Sequence, residues 1–309
     1  MTTRHLVDPE LLPLIDSFPP MNLSPATLPA IRAGIPALLA MQPLPDLPVE
    51  CQELHIPSGD GERTIRCLRI QPRVMPPNAP AILHFHGGGH VMGIPEMALP
   101  QVMRWATALG CLVLSIDYRL APETPFPGPM EDAYVALRWL HDAAGRLGID
   151  ASRIAVSGES AGGAMAACLC LMARDRGECT IAFQHLEMPR LAAKLPEPPN
   201  PFTGEFIWTA KNSEFCRAAY LGASASPYAS AANAADLSGL PPAYIMIGAL
   251  DLFVDECLTY TARLIGAGVP AELIVYPGCF HGFRMAQAAA VTQRAEVDSL
   301  RALQTALAR

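Results

Sequence analysis

The chain has 309 residues, near the upper limit for one hydrophobic core, so one large α/β domain with a modest accessory layer fits its length. Hydrophobic residues make up 51%, enough for a substantial core and an apolar cleft. The net charge is −7 with no basic stripe, so a nucleic-acid partner is not expected.

Residues 1–48 are rich in proline and leucine, with short helical patches such as 28–41 and no strand pattern. Charge and proline interrupt the first ten residues, so no targeting segment is read there and a cytoplasmic location is expected. Segments 51–57 and 63–70 alternate polar and apolar around Gly59-Asp60-Gly61, which signals a β-hairpin. Further strands are expected at 81–86, 111–116, 153–157, 181–186, 243–248 and 271–276. Helices are expected over 96–109, 130–147, 161–175, 254–267 and 284–308. This alternation implies a mostly parallel sheet covered on both faces, with ligand sites beyond the carboxyl ends of its strands.

Residues 190–225 break the rhythm. Pro196, Pro198, Pro199 and Pro201 interrupt it, and Phe202, Phe206, Trp208, Phe215 and Tyr220 add apolar bulk. With the N-terminal segment they read either as a lid over the strand ends or as a surface excursion. The apolar stretch 161–173 is too short to span a bilayer, so no membrane partner is expected. Nine cysteines occur without a C-x-x-C pair; Cys67, Cys111, Cys168 and Cys170 lie in apolar surroundings and read as buried thiols of a reducing compartment.

Gly158-Glu159-Ser160-Ala161-Gly162 has the form G-x-S-x-G, which places a serine on a sharp strand-to-helix turn. A strand pattern precedes it and small apolar residues follow. The flanking glycines suit a strained turn where neighbouring side chains would collide. An acyl-transfer site also needs an acid, a base and an oxyanion hole. Asp251 follows the strand at 243–248, and His281 follows the strand at 271–276 in a glycine-bearing loop. Asp255 and Glu256 rival Asp251, but they fall within the next helix, and a carboxylate at a strand end is better placed to hold a loop histidine. His86-Gly87-Gly88-Gly89 ends the third strand, where glycines let backbone N–H groups approach a developing oxyanion. His84 and His86 share a strand face near His90, yet no carboxylate or cysteine accompanies them at ligand spacing. Neither a metal nor another cofactor is therefore expected.

Several motifs together resemble the hormone-sensitive-lipase-like esterases, the bacterial family IV carboxylesterases. They are His86-Gly87-Gly88-Gly89, Asp117 to Glu123 with Pro125-Phe126-Pro127, Gly158 to Gly163, Leu237 to Pro242, Asp251 to Glu256, Tyr276-Pro277-Gly278 and His281-Gly282-Phe283. The resemblance spans about residues 81–284. It implies an eight-stranded α/β-hydrolase fold with a helical cap. The cap would comprise 1–48 and 190–225, and the catalytic domain 49–189 and 226–309. It implies Ser160 as nucleophile, His281 as base and then acid, and Asp251 as the orienting carboxylate. The amides of Gly88, Gly89 and Ala161 would form the oxyanion hole. His86 and Gly87 would support that loop, with Tyr118, Arg119 and Glu123 bracing the core around it.

The sequence departs from the family pattern at four places. Glu159 stands where Asp is commonest, His90 where an aromatic residue is usual, and Leu252 where a proline usually follows the acid. Met188-Pro189 replaces a frequent tyrosine-proline pair. His90 and Glu159 are candidates for the substrate pocket, and a surface position is the alternative for His90. The implied activity is hydrolysis of short- to medium-chain carboxylic esters, with a small-molecule ester as partner. The same machinery serves lactones and amides. A non-catalytic receptor on this scaffold usually lacks a triad member, and here all three are present. The strand at 271–276 reads as a sheet edge, which makes a homodimer through it a candidate state.

Overall fold

A computed structural model describes residues 2–40 and 43–308. Among them lie eight strands: β1 (Val49–Pro57), β2 (Thr64–Pro72), β3 (Ala79–Phe85), β4 (Leu112–Ile116), β5 (Ile149–Glu159), β6 (Phe183–Glu187), β7 (Ala243–Gly248) and β8 (Ala271–Tyr276). The helices are α1 (Leu12–Ser17), α2 (Leu28–Ala40), α3 (Leu99–Leu109), α4 (Gly128–Asp142), α5 (Ala144–Leu147), α6 (Ala161–Arg176), α7 (Ala210–Leu221), α8 (Val254–Gly266) and α9 (Ala290–Leu307).

The strands form one sheet in the order β1-β2-β4-β3-β5-β6-β7-β8. The pairs β1/β2 and β2/β4 are antiparallel, and every other pair is parallel. Every residue of β3, β4, β6 and β7 is buried, so both sheet faces are covered there. Helix α6 is buried from Ala161 to Ala173, and its alanines and glycines let it lie close on β3, β5 and β6. Strand β8 is one edge of the sheet and is mostly half-exposed, as expected.

All eight expected strands are present. The helices differ mainly at their ends. The expected 130–147 helix is interrupted at Ala143, and Gly148 ends α5 with φ +70°. The last helix begins at Ala290, because Phe283–Met285 forms a separate 3-10 turn. The expected helical patch at 28–41 is α2 as far as Ala40; position 41 lies outside the described residues.

The N-terminal segment packs onto the segment that follows β6. Thr2 and Thr3 bond the Glu205 carboxylate, and Asn212 of α7 bonds the backbone of Met21 and Leu23. Arg32 of α2 donates to the carbonyls of Val91 and Ala121 at 2.6 and 2.7 Å and pairs with Glu123 at 2.8 Å. Glu123 is therefore a surface partner that ties α2 down, not a core brace. Asp132 fills the core position instead: its buried carboxylate pairs with both Arg119 and Arg63.

Glycine positions give a test of this packing. A Cβ on Gly162 would run into the backbone carbonyls of Phe85 and His86, whereas one on Gly145 in α5 meets nothing within 4 Å. Gly162→Ala is expected to cost at least about 2 kcal/mol in urea unfolding. Gly145→Ala is expected to be neutral or to stabilise by about 0.5 kcal/mol.

Candidate active site

The site lies where β3, β5, β7 and β8 end. Ser160 follows β5 and opens α6 with φ 57° and ψ −111°, backbone angles that a residue with a side chain rarely adopts. The bonds around it hold this conformation. The Ser160 N–H donates to the Glu187 carbonyl at 2.8 Å, and the Ser160 carbonyl accepts from Ala164 at 3.0 Å and Arg190 at 3.2 Å. A Cβ on Gly158 would strike the Gly162 backbone, and one on Gly163 would lie 2.9 Å from the Gly158 carbonyl. The turn is thus possible only with glycine on both sides of the serine.

His281 sits in the loop after β8, with Nε2 2.9 Å from Ser160 Oγ and Nδ1 2.7 Å from Asp251 Oδ2. A carboxylate only accepts, so it fixes the proton on Nδ1 and turns the Nε2 lone pair toward the hydroxyl. Asp251 is fully buried, and its other oxygen takes the Phe253 N–H at 2.9 Å. Phe253 meets the His281 ring edge-on at 5.2 Å, and Trp208 lies 5.9 Å away. Ser160 and His281 are each 7% exposed, so the site is nearly closed to solvent. Asp255 faces Asn200, and the Glu256 carboxylate takes the N–H groups of Leu191 and Ala192, both at 2.9 Å. Neither bonds His281.

The glycine loop after β3 lies beside the serine. Gly88 has φ 120° and Gly89 φ 65°. A Cβ on Gly89 would stand 2.6 Å from Cys216 Sγ and 2.8 Å from the Trp208 ring. Among the described residues, the N–H groups of Gly88, Gly89 and Ala161 have no acceptor within the chain. Ala161 is the first residue of α6, where free N–H groups and the helix dipole favour negative charge. These three donors can therefore receive an oxyanion near Ser160.

Glu159 has a structural task that its sequence position did not reveal. Its carboxylate takes the Gly87 N–H at 2.8 Å and His84 Nε2–H at 3.0 Å, while Ser115 bonds His84 Nδ1 at 2.9 Å. Burial pushes the Glu159 carboxyl up, but His84 and the Gly87 N–H outweigh it and leave it below its ordinary value. The residue next to Ser160 is thus tied, as an anion, to the glycine loop.

His86 supports the same loop. It donates Nδ1–H to the Gly87 carbonyl at 2.8 Å and stacks on Tyr118, whose hydroxyl donates to the His86 carbonyl at 2.7 Å. Burial pulls its pKa to about 4, so the ring is neutral at neutral pH. His90 is not a surface histidine: it is 1% exposed and stacks on Tyr220 of α7 at 3.8 Å. Met188 turns its Sδ to the Gly282 N–H beside His281 at 3.4 Å.

A buried polar network lies behind the serine. Glu187 pairs with Arg284 and accepts from Gln101 Nε2 at 2.8 Å and Ser299 Oγ at 3.2 Å. His185 links Ser157 and Ser299 at 2.9 and 2.8 Å. These contacts join residues distant in sequence and carry no motif. All nine cysteines are free, and only Cys51 is exposed. Among the described residues no cluster of His, Cys, Asp or Glu could hold a metal ion, and no helix is long and apolar enough to cross a membrane.

A family described as alpha/beta hydrolase fold matches residues 82–285. The chain is 33% identical to "Carboxylesterase NlhH" of Mycobacterium tuberculosis over 293 residues, covering 91% of this chain and 89% of the relative. It is likewise 33% identical to "Esterase LipI" of the same organism over 287 residues, covering 91% and 88%. Among solved structures, "Bacterial Heroin Esterase" superposes with a TM-score of 0.92 at 39% identity, covering 99% of each chain. The esterase LipW from Mycobacterium marinum superposes with a TM-score of 0.89 at 29% identity, covering 98% of this chain and 96% of that one. The chain therefore belongs to the α/β-hydrolase fold family, among its hormone-sensitive-lipase-like carboxylesterases.

The bonds of Glu159 predict a graded effect. Glu159→Asp, with the family's usual carboxylate, should keep turnover of a p-nitrophenyl ester within about threefold. Glu159→Gln sets an amide against the His84 N–H and should lower kcat about tenfold or more with little change in KM, the signature of weakened oxyanion donation. Equal rates for wild type and Glu159→Gln would remove this positioning role.

Proposed function

We propose that this carboxylic ester hydrolase acts on short- to medium-chain esters through an acyl-Ser160 intermediate. The observation that carries the reading is the unbroken chain from Asp251 through His281 to Ser160, with bonds of 2.7 and 2.9 Å, facing three free backbone N–H groups. His281 Nε2 takes the Ser160 proton as Oγ attacks the ester carbonyl. The tetrahedral oxyanion forms against the amides of Gly88, Gly89 and Ala161. Asp251 holds the ring and offsets the positive charge that it gains. His281 then gives the proton to the leaving alkoxide, which departs as the alcohol. Water, activated by the same nitrogen, attacks the acyl-serine and releases the acid.

Size selection follows from the closure above the serine. The N-terminal segment and α7 with its preceding loop act as a two-part cap, supported by the Thr2, Thr3 and Asn212 bonds that join them. Trp208 and Cys216 lie against Gly89 and bound the space near the carbonyl. A bounded cleft favours short acyl chains over long ones. A homodimer formed by pairing two β8 edges is also proposed; a monomeric mass in solution scattering would dismiss it.

Purified protein should hydrolyse p-nitrophenyl acetate and butyrate faster than the laurate ester. Ser160→Ala should abolish this turnover, and undiminished activity would sink the assignment. Asp251→Asn should lower kcat by about 10⁴, because an amide no longer dictates the histidine tautomer. Asp255→Asn should stay within about threefold of wild type; the reverse order would transfer the acid role.

A further inference from the structure

Beside the serine, the inner face of α7 and the loop after β6 enclose a polar cluster that the mechanism above leaves unused. Ser213, Cys216, Arg217 and Tyr220 occupy the buried face of α7. That face lies on the glycine loop, with Cys216 against Gly89 and Tyr220 stacked on His90. Opposite it stands Arg190, whose backbone N–H holds the Ser160 carbonyl at 3.2 Å. The layer between α7 and the nucleophile turn therefore contains two guanidinium groups.

Both are buried, with Arg190 4% and Arg217 8% exposed. Arg190 Nη1 reaches the Ala192 carbonyl at 3.2 Å and Ser230 Oγ at 3.4 Å, while its Nη2 has no hydrogen-bond partner. Its guanidinium lies 5.9 Å from the Tyr220 ring centre. Arg217 approaches Glu256 only at 3.9 Å, and its Nε and Nη2 bond nothing. Trp208 Nε1 and Ser213 Oγ are likewise buried without partners. Several buried donors in and around this layer thus lack a hydrogen-bond partner, and the carboxylate facing Arg217 stays 3.9 Å away.

The charges do not balance. Arg190 and Arg217 face one buried carboxylate, Glu256. His90 is held neutral by burial and by Arg190, and burial pushes the Cys168 and Cys216 thiols up to about 12. Glu214 of α7 also attracts Arg217, but it is exposed and screened by solvent. Burial also pushes the Glu256 carboxyl up to about 7 and pulls Arg217 down to about 10, the mark of ion partners too far apart to compensate for desolvation. Among the buried groups, one positive charge has no buried counterpart. A monoanion balances it, and a planar carboxylate suits the guanidinium fork.

We infer that Arg190 and Arg217 form an anion subsite beside Ser160 that selects esters bearing a free carboxylate near the scissile bond, such as half-esters of short dicarboxylic acids. This rests on the hydrolase reading above and names its substrate class. Arg190 acts as a specificity residue: it binds the substrate's free carboxylate and takes no part in the bond changes.

The test compares kcat/KM within charged and capped pairs. On the acyl side these are p-nitrophenyl hemisuccinate and p-nitrophenyl methyl succinate. On the alcohol side they are 4-carboxyphenyl butyrate and its methyl ester. In one pair, the wild type should favour the charged ester by about tenfold to a hundredfold. Arg190→Gln should collapse that preference, and Arg190→Lys should keep most of it. A ratio within one protein is insensitive to loss of folded enzyme. Ratios near one in both pairs, or a preference that survives Arg190→Gln, would overturn the subsite. Turnover of no ester would instead remove the hydrolase reading. The subsite would then be read from thermal unfolding: monomethyl succinate raising Tm above dimethyl succinate supports it, and equal shifts overturn it.

Discussion

Ser160 occupies a left-handed backbone conformation that no residue with a side chain adopts without cost, about 1–3 kcal/mol. The surrounding structure is arranged to impose it. Strand β5 must end there, α6 must begin there, and the backbones of Phe85, Gly158 and Gly162 must meet without an intervening Cβ. That contact also brings the glycine loop after β3 beside the serine. One strained residue therefore places the hydroxyl, the first N–H of α6 and the loop amides in a single small space. The sheet order adds the rest, because β7 and β8 end on the same side and deliver Asp251 and His281.

Holding such a turn requires polar groups in a dry interior. The two carboxylates are held by groups from other parts of the chain: Glu159 by His84 and Gly87, Glu187 by Arg284, Gln101 and Ser299. Buried ion pairs add little net stability, but removing one partner leaves a stranded charge and costs about 3–5 kcal/mol. Their value here is positional. The Glu187 carbonyl fixes the Ser160 N–H, and the Glu159 carboxylate fixes Gly87. The Arg190 and Arg217 cluster differs in having no carboxylate within hydrogen-bond distance of either guanidinium, and its backbone adjoins Ser160.

The elements legible in the sequence were those set by local chemistry. Buried strands read as short runs of apolar residues, and the serine turn read through glycines that no other residue replaces. The order of Ser160, Asp251 and His281 was legible because each follows a strand. Contacts between distant residues were not. Glu159 reads as a pocket candidate because its partners, Gly87 and His84, lie 72 and 75 residues away. Glu123 reads as a core brace because its motif adjoins buried Tyr118, yet Arg32 holds it at the surface. Trp208 carries no motif at all; only the chain's return over the site sets it beside Gly89 and His281. The last helix starts later than expected because residues 283–285 form a separate 3-10 turn, whose Phe283 N–H bonds the Phe280 carbonyl of the His281 loop at 3.1 Å.

The proposed reaction requires that Ser160 become acylated during turnover. Mass spectrometry of protein mixed with p-nitrophenyl butyrate, quenched in acid within the first turnovers and digested, tests it directly. One butyryl group is expected on the peptide carrying Ser160, formed as the first p-nitrophenol is released and lost once the ester is consumed. Steady turnover with that peptide unmodified, or with the acyl group on another residue, would contradict it.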